Sequence, residues 1–437
     1  MRRILLACLA VSAAMAYTPS TTSNGIALHR VDATSVKFVV NSEGAAAIGS
    51  DADLIASLQA AAGAWSGIPT STVKFSAIVP TSSPADPFDG GHTIVFSDTP
   101  EHRSIVGSAL AVTTVVYYDD GEIFDTDIIF NPAVTFSLKP TEKAYDLQSV
   151  AAHELGHALG ANHSGLLSAT MFQATAQKAD AQRKLSADDV AFVSDSYPSD
   201  KAADAYCTIK GKVTFVTGDA VRGALLVAFD PSTGVTVGGF SSLTDGAYSF
   251  KVPRGSYLLY AEPLAGPVAP ENLYLSKDQV DAKFQTTFLG GLTAPQLVDA
   301  KQDKASADLS VTTGAASYGL QLLGVGAADS SGDAFIGSGV AQLTAGQPAD
   351  LILAGAGLES AGASYDLRIL GSGVTVRPNT VRFDPRITIN DAHPLRVTID
   401  VAPDAARTAT VIVIKDSVAV ALSGGLLVIP APPVGPS

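Results

Sequence analysis

Apolar residues keep two different periods along this chain, and the place where the period changes marks its organisation. Between residues 51 and 65, Leu54, Ile55, Leu58, Ala61, Ala62 and Trp65 recur at helical spacing, and Ser50 stands where an N-cap belongs. The same reading predicts helices over 146–159 and 186–196. Ser186 and Asp189 have the spacing of a capping box, with Asp in place of Glu. Strand patterns fall at 36–40, 73–79, 93–96, 108–117 and 127–130. Residues 198–204, Pro-Ser-Asp-Lys-Ala-Ala-Asp, read as a linker. Beyond it the helical period disappears. Short strands are expected at 213–216, 224–229, 248–250 and 257–261, with turn signals such as Asp245-Gly246 and Arg254-Gly255 between them. Further strands follow at 350–353, 365–369, 395–401, 410–414 and 426–429, before a disordered tail at 431–437.

Composition agrees with several folded bodies. The 437 residues suffice for roughly two to four domains, and 46% hydrophobic content supplies their cores. A formal net charge of -14 argues against a nucleic-acid partner, because phosphate binding needs a basic face. Residues 1–16 have the form of a signal peptide. Arg2 and Arg3 open it, Ile4 to Ala14 is an apolar stretch too short to span a membrane, and Ala14-Met15-Ala16 offers small-residue cleavage. The expected product starts at Tyr17 and is secreted; a lipid anchor at Cys8 is the rival reading. No later segment is long and apolar enough for a membrane helix. With Cys8 removed, Cys207 is alone, so stability must come from cores or bound metals.

Candidate chemistry concentrates at 153–163, His-Glu-Leu-Gly-His-Ala-Leu-Gly-Ala-Asn-His. Positions i and i+4 share a helix face, so His153 and His157 can aim at one ion. Glu154 falls beside that ion, where a general base would act on water. Gly160 can take a positive φ, which ends the helix and turns the chain sharply. That return brings His163 round as a third nitrogen ligand. Three protein ligands leave the fourth position of a zinc ion open, as catalysis requires.

This HExxHxxGxxH pattern resembles that of the metzincin peptidases, and its surroundings are similar to the matrixins, the matrix-metalloprotease type. Ser164 follows the third histidine. Ser168-Ala169-Thr170-Met171-Phe172 resembles the Met-turn beneath the zinc. Asp127-Ile128-Ile129-Phe130-Asn131 resembles the strand and turn before the active-site helix, and residues 146–150 resemble the start of that helix. The resemblance covers about residues 30–198. It implies an α+β catalytic domain over 27–198, with a twisted mixed sheet and three helices. It further implies a zinc-dependent endopeptidase of proteins or peptides, with Glu154 as base and Met171 as floor. By the same resemblance, residues 107–112, with Ala109 and Leu110, form the edge strand that pairs with substrate; an ordinary edge strand is the alternative. Asp119, Asp125 and Asp127 become calcium candidates, although their spacing fits no EF-hand. The chain also departs from the family. It has no PRCGxPD-like cysteine switch, so latency through a thiolate is not expected. Phe172-Gln173 lacks the Tyr two places after the Met that astacins carry, and serralysin-type calcium repeats are missing. His92 and His102 read as surface or core residues.

Residues 205–313 resemble a carboxypeptidase regulatory-like β-sandwich, through Gly211-Lys212-Val213, residues 244–250 and Pro253-Arg254-Gly255. Residues 314–430, with 352–358, resemble an immunoglobulin-like or IPT module. Neither carries a catalytic cluster, and His393 is isolated. Their roles stay open between spacer and binding to a cell surface or extracellular matrix. Two other readings of the whole also stay open: an adhesion protein with a vestigial protease domain, and a metzincin of another branch.

Overall fold

The computed structural model describes residues 5–6, 19–139, 141, 143–313, 320–328, 339–358, 365–383 and 394–431. The expected cleavage site, Cys8, His393 and residues 432–437 lie outside the described residues. The chain divides into two compact units. Among described residues, the first takes in 5–6, 19–164 and 169–205, and the second takes in 165–168 and everything from 206.

The first unit is built on a six-stranded mixed sheet. Its strands are β1 (Leu5–Leu6), β2 (Val39–Asn41), β3 (Val79–Pro80), β4 (Thr93–Val95), β5 (Ala111–Tyr117) and β6 (Ile123–Phe130). They lie in the order β1-β5-β6-β4-β2-β3. β2, β3, β4 and β6 pair in parallel, whereas β5 runs antiparallel to β6. Leu5 and Leu6 pair with Tyr117 and Val116 on the far side of β5. β6 is central and buries nearly every side chain, as a strand covered on both faces must.

Among the described residues, four α-helices of seven residues or more accompany this sheet: α1 (Asp51–Ser66), α2 (Pro100–Val106), α3 (Leu147–Ala158) and α4 (Ala187–Ser196). Ser50 caps α1 by accepting from the Asp53 amide, and both halves of the Ser186–Asp189 capping box form. Leu54, Leu58, Ala61, Ala62 and Trp65 are the buried face of α1, as their spacing predicts. Trp65 joins three helices. Its indole N–H donates to Ala152 O of α3 at 2.9 Å, and Phe192 of α4 meets its ring edge-on at 6.4 Å.

Several boundaries differ from expectation. The expected three helices omit α2, whose seven residues are too few to show a period. Its local signals are Thr99 as cap and Pro100 in the first turn. The strand expected at 73–79 reduces to a bridge at Phe75 and the two residues of β3. Val73 and Phe75 are buried in alternation, but Ile78 is buried out of phase and Val79 is exposed, so the pattern does not run on as a continuous strand. The strand expected at 108–117 begins only at Ala111, because Gly107 to Leu110 form the turn after α2. Residues 202–204 of the expected linker fall in a short helix, Ala202–Ala205, and Ser199 N donates to Thr70 O.

The second unit is β-rich throughout. Two sheets lie within residues 206–311, one centred on Leu225–Phe229 and Gly255–Glu262, the other on Tyr206–Phe215. Two more lie within 324–429, centred on Leu395–Val401 and on the pair Thr408–Lys415 and Val418–Ile429. Among the described residues no helix is long and apolar enough to cross a membrane.

Candidate metal centre

Helix α3 starts on Asp146. This carboxylate is buried, accepts from the Ser149 amide at 2.8 Å and satisfies one of the open N–H groups of the first turn. Arg183 forks onto both of its oxygens. The helix then buries Leu147, Val150, Ala151, Ala152, Leu155 and Ala158 and turns His153 and His157 to a common face. Gly156 lies between the two histidines. A Cβ there would stand 2.2 Å from Met171 Sδ and 2.8 Å from Trp65, so the close approach of Met171 demands glycine.

The helix ends at Ala158, and the chain turns at Gly160, whose φ is +88°. A side chain there would also meet Leu28 O at 2.6 Å. The sharp return is pinned from the N-terminal segment and from Tyr197 after α4. Ser20 N donates to Gly160 O at 2.8 Å, Tyr197 OH to Leu159 O at 2.7 Å, and the buried Arg30 to Ala158 O at 3.3 Å. His163 thereby arrives opposite α3. The ring nitrogens of His153, His157 and His163 lie within 4.8 Å of one another, and the ring centroids are 4.7 to 5.2 Å apart.

The donor chemistry fits a zinc ion. His153 Nδ1 donates to Thr170 O at 2.8 Å, and His157 Nδ1 donates to Ala161 O at 2.9 Å. Carbonyls only accept, so each ring's proton is on Nδ1. Burial pushes His153 down to about 3 and His157 well below the ordinary histidine value, which keeps both rings neutral. Two lone pairs therefore face each other across the 3.1 Å between His153 Nε2 and His157 Nε2. A cation between them resolves that repulsion, and tetrahedral bonds of about 2.0–2.1 Å would separate two nitrogens by roughly 3.3 Å. The carbonyl partners are the usual outer-shell anchors of ligating histidines.

Glu154 is 4% exposed. Its Oε2 accepts from Thr113 Oγ1 at 2.6 Å, and its backbone carbonyl accepts from the same hydroxyl at 3.1 Å. Burial raises its carboxyl to about 7, against the lowering effect of the Thr113 hydrogen bonds. Thr113 belongs to β5, and no spacing rule points to it. Met171 is buried below α3. Its amide and that of Thr170 donate to the two oxygens of Asp189, at 3.0 and 2.8 Å. Ser164 Oγ donates to the neighbouring Asp188 at 2.6 Å.

The other sequence candidates fall elsewhere. Ala109 and Leu110 precede the strand, and their carbonyls accept from Asn131, at 2.7 and 2.9 Å. Asp125 and Asp127 are buried side by side on β6. One oxygen of each accepts a backbone N–H, from Gly90 at 2.7 Å and Thr93 at 2.9 Å, while Asp125 Oδ1 and Asp127 Oδ2 have no hydrogen-bond partner. Burial, then the Asp127 charge, raises Asp125 to about 7; burial foremost raises Asp127 to about 6, with Asp89 and Asp86 adding to it. Asp119 is exposed in the turn before β6 and is not among the groups acting on this pair. His92 packs against Phe38 and accepts from Thr126 N at 3.1 Å, and His102 is buried against Ser97 O. Neither approaches the three-histidine cluster.

Comparison with known proteins addresses the same segment. The family model described as matrixin matches residues 54–198. No curated protein matches the chain. Among solved structures it is similar to BcpA, the major pilin subunit of Bacillus cereus, at 12% identity over 52% of this chain and 69% of that one, with a TM-score of 0.16. It is also similar to the RrgB pilus protein from Streptococcus pneumoniae, at 9% identity over 49% of each chain, with a TM-score of 0.14. Likenesses this slight carry no argument. The family match covers the sequence that builds the three-histidine cluster, and it supports a matrixin-type domain at 54–198 and, in general terms, a zinc metallopeptidase.

Proposed function

We propose that this chain is a secreted zinc-dependent endopeptidase that cuts proteins or peptides. The observation that carries the reading is the convergence of His153, His157 and His163 beside the buried carboxyl of Glu154. His153, His157 and His163 would hold the ion. A zinc ion bound there supplies a Lewis acid that polarises the scissile carbonyl and acidifies water. Glu154 takes the proton from the attacking water and returns it to the leaving amine. Thr113 holds that carboxylate from the neighbouring strand. Met171 fills the space below Gly156 and supports the ligand helix.

For substrate we propose an extended peptide laid along β5. The part of the strand before Val116 supplies the pairing groups, since Val116 and Tyr117 pair with β1. Ala109 and Leu110 instead spend their carbonyls on Asn131. Asp125 and Asp127, with two unpartnered oxygens, are proposed as ligands of a structural calcium ion, which takes carboxylate oxygens. Asp119 is left out of that site. The two β-rich blocks are proposed as binding modules for a cell surface or matrix.

Purified protein should contain one catalytic zinc per chain and digest casein or gelatin. A chelator should abolish the digestion, and added zinc should restore it. Digestion that survives complete removal of metal would overturn the reading.

A further inference from the structure

The short turn Ala181–Arg183 holds both ends of the ligand apparatus. Arg183 forks onto Asp146 and fixes the first turn of α3, six residues before His153. Gln182, one residue earlier, reaches the segment that holds Met171. Its Nε2 faces four backbone oxygens: Thr170 O and Phe172 O at 3.2 Å, Ala174 O at 3.4 Å and Ala169 O at 3.5 Å. An amide nitrogen has two protons, so the two 3.2 Å contacts are its best-made bonds. Thr170 O is the oxygen that accepts from His153 Nδ1. The grip runs both ways, because Thr170 Oγ1 donates to Lys184 O at 3.2 Å and, more weakly, to Gln182 O at 3.4 Å. The amides of Thr170 and Met171 are meanwhile held by Asp189. One peptide segment is thus fixed by its N–H groups from α4 and by its carbonyls from Gln182.

We propose that Gln182 is a positioning residue for the metal. It fixes the direction of the Thr170 carbonyl, which sets the tautomer and ring angle of His153 and so the aim of Nε2. The inference rests on the zinc reading above. Outer-shell partners of this kind typically contribute about 10–100-fold to metal affinity. A residue that merely tied down the loop would change stability with or without metal. A residue that aims a ligand changes the metal-bound state.

The test uses full-length protein, stripped and reloaded, with zinc affinity read by chelator competition and cobalt(II) absorption as a geometric signature. Gln182→Met keeps length and removes the donors; Gln182→Asn keeps the amide but falls one methylene short. Both should bind zinc about 10–100-fold more weakly and shift the cobalt spectrum, while the metal-free proteins melt where the metal-free wild type does. Wild-type affinity and an unchanged cobalt spectrum in both variants would overturn the role of Gln182 alone. So would a loss of affinity matched by equal destabilisation of the metal-free protein. If the wild type itself binds no zinc, the zinc reading falls, and this inference with it.

Discussion

Gly160 shows how much one backbone angle carries. Its φ of +88° is a conformation that costs an L-residue roughly 1–2 kcal/mol, and Leu28 O leaves no room for a Cβ. Gly160→Ala should therefore lower stability by at least about 1–2 kcal/mol in chemical denaturation and weaken zinc binding by misdirecting His163. Unchanged stability together with unchanged zinc affinity would contradict this account of the turn. The histidines, Glu154 and Gly160 were legible because helix geometry and a single turn relate them locally. Gly156 was not, since its need for a bare Cα comes from Met171 Sδ, fifteen residues on and across the packing. Thr113 and Gln182 were not legible for the same reason. Each acts through a contact set by tertiary structure, and neither belongs to a periodic or spaced pattern.

At the scale of elements, the sequence was reliable where a helix was long and capped. The burial stripe of α1 and the capping box of α4 came directly from spacing. Alternation was less reliable. Over 73–79 it matched burial at Val73 and Phe75 but not at the exposed Val79, and a ladder also needs a partner strand in register, which the pattern cannot encode. Strand β6 makes the next prediction. Asp125 and Asp127 are raised to about 7 and 6 from an ordinary 3.8. Groups whose folded value is raised add stability that is complete below the unfolded value and is lost as pH rises through the folded one. Without cations, the contribution of this pair should hold below about pH 4 and disappear between roughly pH 4 and 7. Calcium should then raise the melting temperature of protein with zinc retained at pH 7.5 and leave it unchanged at pH 4. A shift of equal size at both pH values, or none at either, would contradict a calcium site at Asp125 and Asp127.

Across the whole molecule, the described elements pass from a mixed α/β unit to β-rich structure, with residues 165–168 grouped with the second unit and its main part starting at Tyr206. The cluster of three metal-binding side chains found among the described residues lies in the first unit. Strand pairing in the second unit joins segments far apart in sequence, such as Ala341–Thr344 with Val418–Ile429, and local patterns cannot announce such partners. The proposed catalysis depends on one carboxyl beside three histidines. Its most direct test compares kcat for peptide cleavage in Glu154→Ala and wild type, each verified to hold one zinc. Zinc should be retained and kcat should fall about 10²–10⁴-fold, the range that general acid–base catalysis supplies. A zinc-loaded Glu154→Ala protein that cleaves at the wild-type rate would contradict the proposed catalysis.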